Sequence, residues 1–456
     1  MSVLGLTRNT RTYMLKILYW ILSFITIHFF ILDCAYSLEL GLLDITGKAE
    51  NKLSYYPEHE IGKETVYEEI HLLPEISLKQ DNAWWSAKIV PDLHIDPFYG
   101  LYQDVRLFET PQRKTILTLR EFYAEVDLAK SDLPVTFRVG KQLFEWYDGV
   151  KFDFVEMNPF GARDQSEPFL TWEEEKQLGV WGTSLRWNLT NNVILEFIVN
   201  GHNNPIIATR SNDRWTRALP EGITVDDYNM ESDINFGLRA SGTITVIDKN
   251  VNWGVVLYHG AANSIDRVSY DSYRVHPVLP EQNSAGAYLQ APILDYNVRI
   301  GGIHHWQLGS DHFMPWSLEI ERLWENLFKD GDNLLVEWGY AGVWTSHKTD
   351  ISIPELDMRR VLKNHFVMAT EYSPYEGLVF KLQAAQRLDE NESYVSPETV
   401  WDISKLVNLK PGMLELSIKG EIIHDDSSRS DVSFENDIFT EYKNDDRVLV
   451  TLTYNF

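Results

Sequence analysis

Charged side chains recur at every second position within several apolar segments of the chain, and these are the residues best suited to chemistry. On the polar side of each alternating run stand the bases Arg138, Arg186, Arg239, Arg299, Lys381, Arg387 and Lys419, and the acids and amide Asp295, Glu337, Glu371, Gln383, Glu415 and Glu421. A wall with basic and acidic sides would create a transverse field that orients a polar solute. The alternative is that these charges only satisfy one another, since isolated exposed charges usually contribute little.

Histidines are the other candidates for chemistry. His304, His305 and His312 are close in sequence, but consecutive residues of a strand point to opposite faces, so His304 and His305 cannot both face one metal ion. The segment around His259 superficially suggests an outer-membrane phospholipase, yet it lacks an identifiable serine partner on the same face. We therefore predict no catalytic residues, no metal and no cofactor.

The elements that position the charged residues are strands. In the segment 413–422, apolar residues alternate with polar ones, and similar alternation occurs at 181–189, 234–241 and 336–344. Near residue 370 the pattern predicts a hairpin, because alternation from Phe366 to Tyr372 is followed by Pro374 and Gly377 and resumes at Leu378. A period of two places one set of side chains on each face of a strand.

The N-terminal segment has the organisation of a secretory signal peptide. Arg8, Arg11 and Lys16 precede an uncharged stretch from Ile17 to Leu32, and small residues follow at positions 35 and 37. We predict that residues 1–37 are removed, with a signal anchor or a lipoprotein cysteine at Cys34 as the alternatives. Cleavage after residue 37 would remove the only cysteine, and therefore any disulfide or thiolate site.

Composition and the last strand then indicate a membrane β-barrel. Aromatic residues make up 13% of the chain, a density that suits aromatic girdles or a carbohydrate-binding β protein. Residues 447–456 alternate and end in Phe456, which resembles the terminal insertion signal of bacterial outer-membrane barrels. Because unpaired backbone groups are costly in hydrocarbon, a sheet in lipid must close on itself.

We therefore predict an all-β protein in the bacterial outer membrane. Residues 38–456 would form one domain, an antiparallel up-and-down barrel of about fourteen strands, with sixteen as the alternative. Its lumen would be too wide for opposing side chains to fill, so it would hold water, an inward or capping loop, or both.

A longer motif runs between Phe137 and Asn188. It comprises residues 137–142, then Trp146 to Gly149, then residues 157–164, and a strand that begins near Glu175. With the segment 237–242 and the C-terminal residues 444–456, it resembles the DUF1302 family and, more loosely, alginate-export porins. That resemblance implies transport of hydrophobic or polyanionic molecules, often beside an inner-membrane exporter, and implies no catalytic residues.

The same motif predicts a constriction. Gly149, Pro159 and Gly161 permit tight turns, and an arginine such as Arg163 can hold a carboxylate with two hydrogen bonds. We expect the segment Trp146 to Trp172 to fold into or over the lumen, with Lys141, Arg163 and Asp164 as its polar contacts. The alternative is a long surface loop held by a structural Arg–Asp pair.

The function expected from these features is a channel for a solute. A structural sheath around a partner such as a cytochrome, and a membrane enzyme, are the alternatives. The expected partners are outer-membrane lipid and lipopolysaccharide, the barrel-assembly machinery through the strand that ends at Phe456, and an inner-membrane transporter. Nucleic acid is not expected, because the formal net charge is −26.

Overall fold

Alternating apolar and polar residues produce eighteen long strands in the barrel sheet. The computed structural model describes residues 43–55, 66–79, 84–95, 115–131, 133–144, 146, 162–164, 177–202, 206–207, 224–225, 229–230, 234–262, 267–271, 274–307, 312–345, 364–389, 392–425 and 446–456. The predicted signal peptide, residues 1–37, lies outside the described residues.

The barrel strands are named β1 to β18 in chain order. They are β1 Leu43–Tyr55, β2 Val66–Lys79, β3 Trp85–Ile95, β4 Thr115–Asp127, β5 Val135–Gln142, β6 Val180–Thr190, β7 Val193–His202, β8 Asn235–Val246, β9 Lys249–Ala261, β10 Glu281–Ile293, β11 Tyr296–Gln307, β12 His312–Glu325, β13 Asn333–Thr345, β14 His365–Tyr375, β15 Leu378–Arg387, β16 Glu392–Asp402, β17 Leu414–Asp425 and β18 Arg447–Asn455.

The sheet closes on itself. Each strand pairs antiparallel with the next, and β18 pairs antiparallel with β1, with Thr453 opposite Glu50. The C-terminal residue completes this seam, because the backbone N–H of Phe456 donates to the carbonyl of Gly47 at 3.0 Å and that of Gly47 donates in return at 2.9 Å. Closure removes every open sheet edge from the barrel.

The predicted number of strands is wrong, since the barrel has 18 rather than fourteen or sixteen. Several strands lack a regular alternation in sequence. β2 contains Pro74, and β3 contains Pro91, where the register with β4 shifts. Inward positions also hold buried apolar residues such as Ile198 and Ile303, which blur the contrast between the two faces.

The two ends of the barrel differ in their connections. At one end, turns of two residues join β6 to β7, β8 to β9, β10 to β11 and β14 to β15. At the other end, the connections include residues 143–179, 203–234 and 426–446. We name the first end the short-turn end and the other the long-loop end. In outer-membrane barrels the short turns face the periplasm.

Apolar side chains cover the outer surface of the barrel. In β6, Trp181, Leu185, Trp187 and Leu189 are exposed on one face, and β8 exposes Phe236 and Leu238 in the same way. The predicted hairpin near residue 370 is confirmed, with β14 and β15 joined at Glu376 and Gly377. The predicted last strand is also confirmed, as β18.

Shorter elements lie outside the barrel sheet. Ala162–Asp164 pairs with Gln177–Leu178 and with Ile206–Ile207. A second small sheet contains Thr224–Val225, Asn229–Met230, Arg267–Asp271 and Arg274–Leu279. Within the described ranges, no helix is long and apolar enough to cross a membrane.

Candidate functional site

The candidate site is the inner wall of the barrel, which carries the polar side of each strand. Because side chains alternate along a strand, the register assigns every second residue to this wall. Its bases are Lys48, Lys52, Lys79, Lys88, Arg138, Arg186, Arg239, Arg299, Lys381, Arg387, Lys419 and Arg447, and its acids are Asp44, Glu50, Glu75, Asp92, Glu121, Glu125, Asp127, Glu196, Glu319, Glu321, Glu337, Glu371, Glu392, Glu398, Asp402, Glu415 and Glu421. Carboxylates therefore outnumber bases on the described part of the wall.

Arginines dominate the wall formed by β5 to β8, which we name the arginine side. Arg138 donates to Glu125 through Nε at 3.0 Å and Nη2 at 2.6 Å, and its guanidinium carbon lies 4.3 Å from the centre of the Tyr123 ring. Two donors to one carboxylate together with a ring contact fix the arginine against the wall.

The next row of the arginine side runs across three strands. Register places Arg186 opposite Glu196, and Glu196 opposite Arg239. Arg239 lies 3.9 Å from Glu196 and donates to the hydroxyl of Tyr288 at 3.2 Å. Arg186 is exposed to the lumen, whereas Arg239 is buried.

The wall formed by β11 to β14 has the opposite character, and we name it the carboxylate side. Arg299 bridges Glu321 at 2.9 Å and Glu337 at 3.0 Å, and lies 4.0 Å from Glu319. Glu321 and Glu337 are direct cross-strand partners, a position where like charges repel. Glu371 adds a further carboxylate on β14.

Neutral residues separate the two sides. The inward positions of β9 and β10 hold asparagine, glutamine, serine, tyrosine, glycine, proline and valine, and no charged residue. Their close packing depends on Gly254, because a Cβ there would lie 2.2 Å from the Tyr288 ring. The wall therefore places basic and acidic sectors apart, with a neutral sector between them.

Ion pairs continue around the wall from β15 to β18. Lys381 lies 3.8 Å from Glu398, and Lys419 lies 3.0 Å from Glu421, which also pairs with Arg447. Glu415 lies opposite Asp402 in β16 and opposite Thr453 in β18, so it faces the lumen near the short-turn end.

Strands β1 to β4 carry a further set of ion pairs that the sequence reading did not identify. Lys88 lies between Glu75 at 3.1 Å and Glu121 at 3.2 Å. His71 contacts Asp92 at 2.6 Å. The irregular alternation in β2 and β3 concealed these residues, although the clustered charges of β1 and β2 were a usable signal.

At the long-loop end, Arg387 pairs with Asp389 at 2.9 Å and with Glu392 at 3.4 Å. Partial burial raises the pKa of Asp389, but hydrogen bonding to Arg387 and its positive charge outweigh this and hold the pKa below its ordinary value. The pair therefore stays charged at this mouth of the barrel.

The chain after β5 turns into the lumen. Phe144 and Trp146 are buried in one cluster with the inward-facing residues Ile198, Val256 and Tyr258. The preceding Gln142 holds the start of this segment, because it donates to the carbonyl of Gly182 at 3.1 Å and accepts from Ser184 at 2.9 Å. The predicted constriction thus has an inward-directed beginning, whereas residues 147–161 and 165–176 lie outside the described residues.

The structure tests only one of the three predicted polar contacts of that constriction. Lys141 disagrees with the prediction, because the register pairs it with Phe122 and Trp181, whose exposed side chains lie on the outer face. Arg163 and Asp164 belong to the three-residue strand outside the barrel sheet. Their side chains are outside the described set, so their contacts stay a prediction.

The histidines lie where strand alternation places them. His305 is buried and contacts Ser284 at 2.8 Å on the inner side, while His304 stacks on His312 with ring centres 5.3 Å apart on the outer side. His259 also points outward and contacts Asn283 at 2.9 Å. Asp295 is in a turn, so it does not line the wall as predicted.

Comparisons with known proteins identify the fold. No family model matches the chain, so the resemblance to DUF1302 has no support from that source, and no curated protein matches. A BenF-like porin from Pseudomonas fluorescens Pf-5 aligns with a TM-score of 0.52 at 10% identity over 92% of this chain and 99% of its own. Pseudomonas aeruginosa OccK2 (OpdF) aligns with a TM-score of 0.51 at 9% identity, over 91% and 97% of the two chains.

A second structure of OccK2, in complex with glucuronate, aligns with a TM-score of 0.50 at 10% identity over 91% of this chain and 98% of its own. These identities are too low to transfer a function, but the alignments cover nearly the whole of both chains. The chain therefore has the closed, antiparallel β-barrel fold of outer-membrane porins.

Proposed function

We propose that this protein is an outer-membrane channel for small, water-soluble, charged solutes. The observation that carries the proposal is the lumen wall, where an arginine side and a carboxylate side are separated by the neutral strands β9 and β10. Fixed charges of opposite sign on different walls orient a dipolar solute during passage. The porin fold of the solved structures supports the same reading.

The charge of the wall favours cationic or zwitterionic solutes. Carboxylates outnumber bases on the described wall, and the carboxylate side has one arginine for Glu319, Glu321, Glu337 and Glu371. A polyanion would meet net repulsion there, and a hydrophobic solute would gain little from a wall of charged and polar side chains, because such a wall offers little apolar surface for burial. The hydrophobic or polyanionic cargo implied by the DUF1302 resemblance is therefore the weaker choice, and an associated exporter stays a prediction.

Ion selectivity in planar bilayers tests this proposal. We expect the purified protein to conduct and its reversal potential in a KCl gradient to show preference for K⁺ over Cl⁻. Arg186→Gln should increase this preference, whereas Glu371→Gln should decrease it, because the two changes remove opposite charges from the wall. Anion preference in the unmodified protein, or no conductance at all, would contradict the proposal.

The alternative function, a structural sheath, would require a wider lumen than a channel for small solutes. A sheath must leave room for a protein, yet Phe144 and Trp146 already occupy inward positions against β7 and β9. A cytochrome that copurifies with the barrel in equal amounts, combined with a closed channel, would favour the sheath. The absence of enzymatic activity stays a prediction from the sequence.

A further inference from the structure

Three successive turns at the short-turn end expose large apolar residues at their tips. Ile247 is 91% exposed between β8 and β9, Leu294 is 83% exposed between β10 and β11, and Phe328 is 69% exposed between β12 and β13. The turns on either side are polar, with Asn191 and Asn192 before this group and Glu376 and Gly377 after it. We name Val246, Ile247, Ile293, Leu294, Leu327 and Phe328 the apolar rim.

Neither turn geometry nor water favours these residues at these positions. Ile247 has a φ of 47° and Leu294 a φ of 56°, in the left-handed region that β-branched and bulky side chains rarely adopt. Glycine, asparagine and aspartate are the usual residues at such hairpin positions. Large aliphatic side chains at strained and exposed positions therefore indicate a neighbour that is not water.

The apolar rim is continuous with the outer surface of the barrel rather than with the lumen. Outward-facing Ile244 and Val246 lead to Ile247 along β8. The ring of Phe328 packs edge-on against Tyr372, with ring centres 5.5 Å apart, and Tyr372 stacks on the outward-facing Phe380 at 6.5 Å. Whatever surrounds the outer surface of the barrel can therefore also cover the apolar rim.

Cations held by aromatic rings lie beside the apolar rim. The guanidinium carbon of Arg322 lies 4.9 Å from the centre of the Tyr296 ring and 4.8 Å from that of Trp324. Arg322 also donates to the Tyr296 hydroxyl at 3.1 Å and pairs with Asp295 at 3.3 Å. Because a guanidinium has five N–H donors, some of them remain available to a further acceptor. Lys329 lies 5.2 Å from the ring centre of Tyr375.

We propose that the apolar rim and its cations bind anionic phospholipid of the inner leaflet. Apolar tips would contact the acyl region, and Arg322 and Lys329 would meet the phosphate groups. Amphipathic aromatic residues and basic side chains at one level are the chemistry of a membrane interface. The polar tips at 191–192 and 376–377 flank this group of three turns.

Site-directed spin labelling in vesicles of phosphatidylethanolamine and phosphatidylglycerol tests the apolar part. Labels at Ile247→Cys, Leu294→Cys and Phe328→Cys, with Cys34→Ser in every variant, should collide with oxygen and be shielded from a water-soluble nickel complex. The control label at Asn191→Cys should show the reverse. Nickel access at all four positions would overturn the proposal, and spin–spin broadening at Leu294 or Phe328 would assign the rim to a second copy instead.

Native mass spectrometry tests the cationic part. The unmodified protein should retain phosphatidylglycerol in preference to phosphatidylcholine. Equal retention of the two lipids by the unmodified protein would overturn the proposed anionic preference. Arg322→Gln should weaken phosphatidylglycerol retention about fivefold, the factor expected for one surface cation. Lys410→Gln, on another connection of the same end, should leave it unchanged. An equal loss of phosphatidylglycerol retention in Arg322→Gln and Lys410→Gln would also contradict the proposal. Both variants should conduct like the unmodified protein.

Discussion

Among the residues of the wall, Arg299 is the one whose replacement should lower the stability of the barrel most. It bridges Glu321 and Glu337 and approaches Glu319, and its side chain is only 9% exposed. Replacement by glutamine leaves adjacent carboxylates without their shared counter-charge. We expect the free energy of unfolding to fall by about 3 kcal/mol, the lower end of the range for a broken buried pair, measured by urea unfolding in lipid vesicles.

Arg186→Gln is the matched control for that change. Arg186 is exposed to the lumen, where water screens its charge, so we expect a loss below about 1 kcal/mol. A defect that is equal in both variants would show that Arg299 is not a charge bridge.

Gly254 tests close packing in the neutral sector. A Cβ at this position would meet two ring carbons of Tyr288 at 2.2 and 2.5 Å and its hydroxyl oxygen at 2.7 Å. Gly254→Ala must therefore displace the tyrosine whose hydroxyl accepts a hydrogen bond from Arg239. We expect a loss of about 1–3 kcal/mol in the free energy of unfolding.

Gly420→Ala provides the comparison for Gly254→Ala. Its Cβ would meet only the Pro397 side chain, at ordinary contact distances of 3.5 and 3.8 Å, and stability should be unchanged. Tyr288→Leu should partly rescue Gly254→Ala. If Gly254→Ala unfolds at the same urea concentration as the unmodified protein, the ring does not pack on Gly254 as described.

At the scale of elements, the inward segment after β5 is the feature to test. Trp146 is fully buried against inward-facing residues of β7 and β9. Trp146→Ala removes about 3–5 kcal/mol of local packing, so the segment should detach from the wall and single-channel conductance should rise.

Trp187→Ala separates this effect from the loss of any large ring. Trp187 is 42% exposed on the outer face of β6, so its removal should leave conductance unchanged. Reduced or unaltered conductance in Trp146→Ala would contradict the view that Trp146 anchors a constricting segment.

At the scale of the whole molecule, we expect the closed sheet to separate a lipid face from a water-filled face. Leu382 and Gln383 are consecutive in the middle of β15, and register places Leu382 outward and Gln383 inward. We expect Leu382→Lys to cost about 2–4 kcal/mol, as for a base on the lipid face near the bilayer midplane.

Gln383→Lys should cost far less, since it adds the same side chain on the aqueous face. The difference between the two variants, measured by unfolding in lipid vesicles, reports which face meets lipid. Equal costs, or purification of the protein as a water-soluble monomer without detergent, would contradict the membrane barrel.

The sequence by itself determined the fold class and much of the wall. Alternation in β8, β14, β15, β17 and β18 was regular enough to predict strands, faces and one complete hairpin, because the side-chain period is local to each strand. The inward placement of Arg138, Arg186, Arg239, Arg299, Glu337, Lys381, Glu415 and Lys419 followed from the same rule.

Only the tertiary structure decided how many strands close the barrel and which charges meet. Strands β2 and β3 contain proline, and the inner wall holds buried apolar residues, so alternation in the sequence did not reveal every strand. Pairing with neighbouring strands nevertheless stabilises these strands. Lys141 precedes the segment that turns inward, yet its own direction is set by its pairing with Phe122 and Trp181. The bridge from Arg299 to carboxylates on β12 and β13 depends on register between strands, which one strand's sequence does not encode.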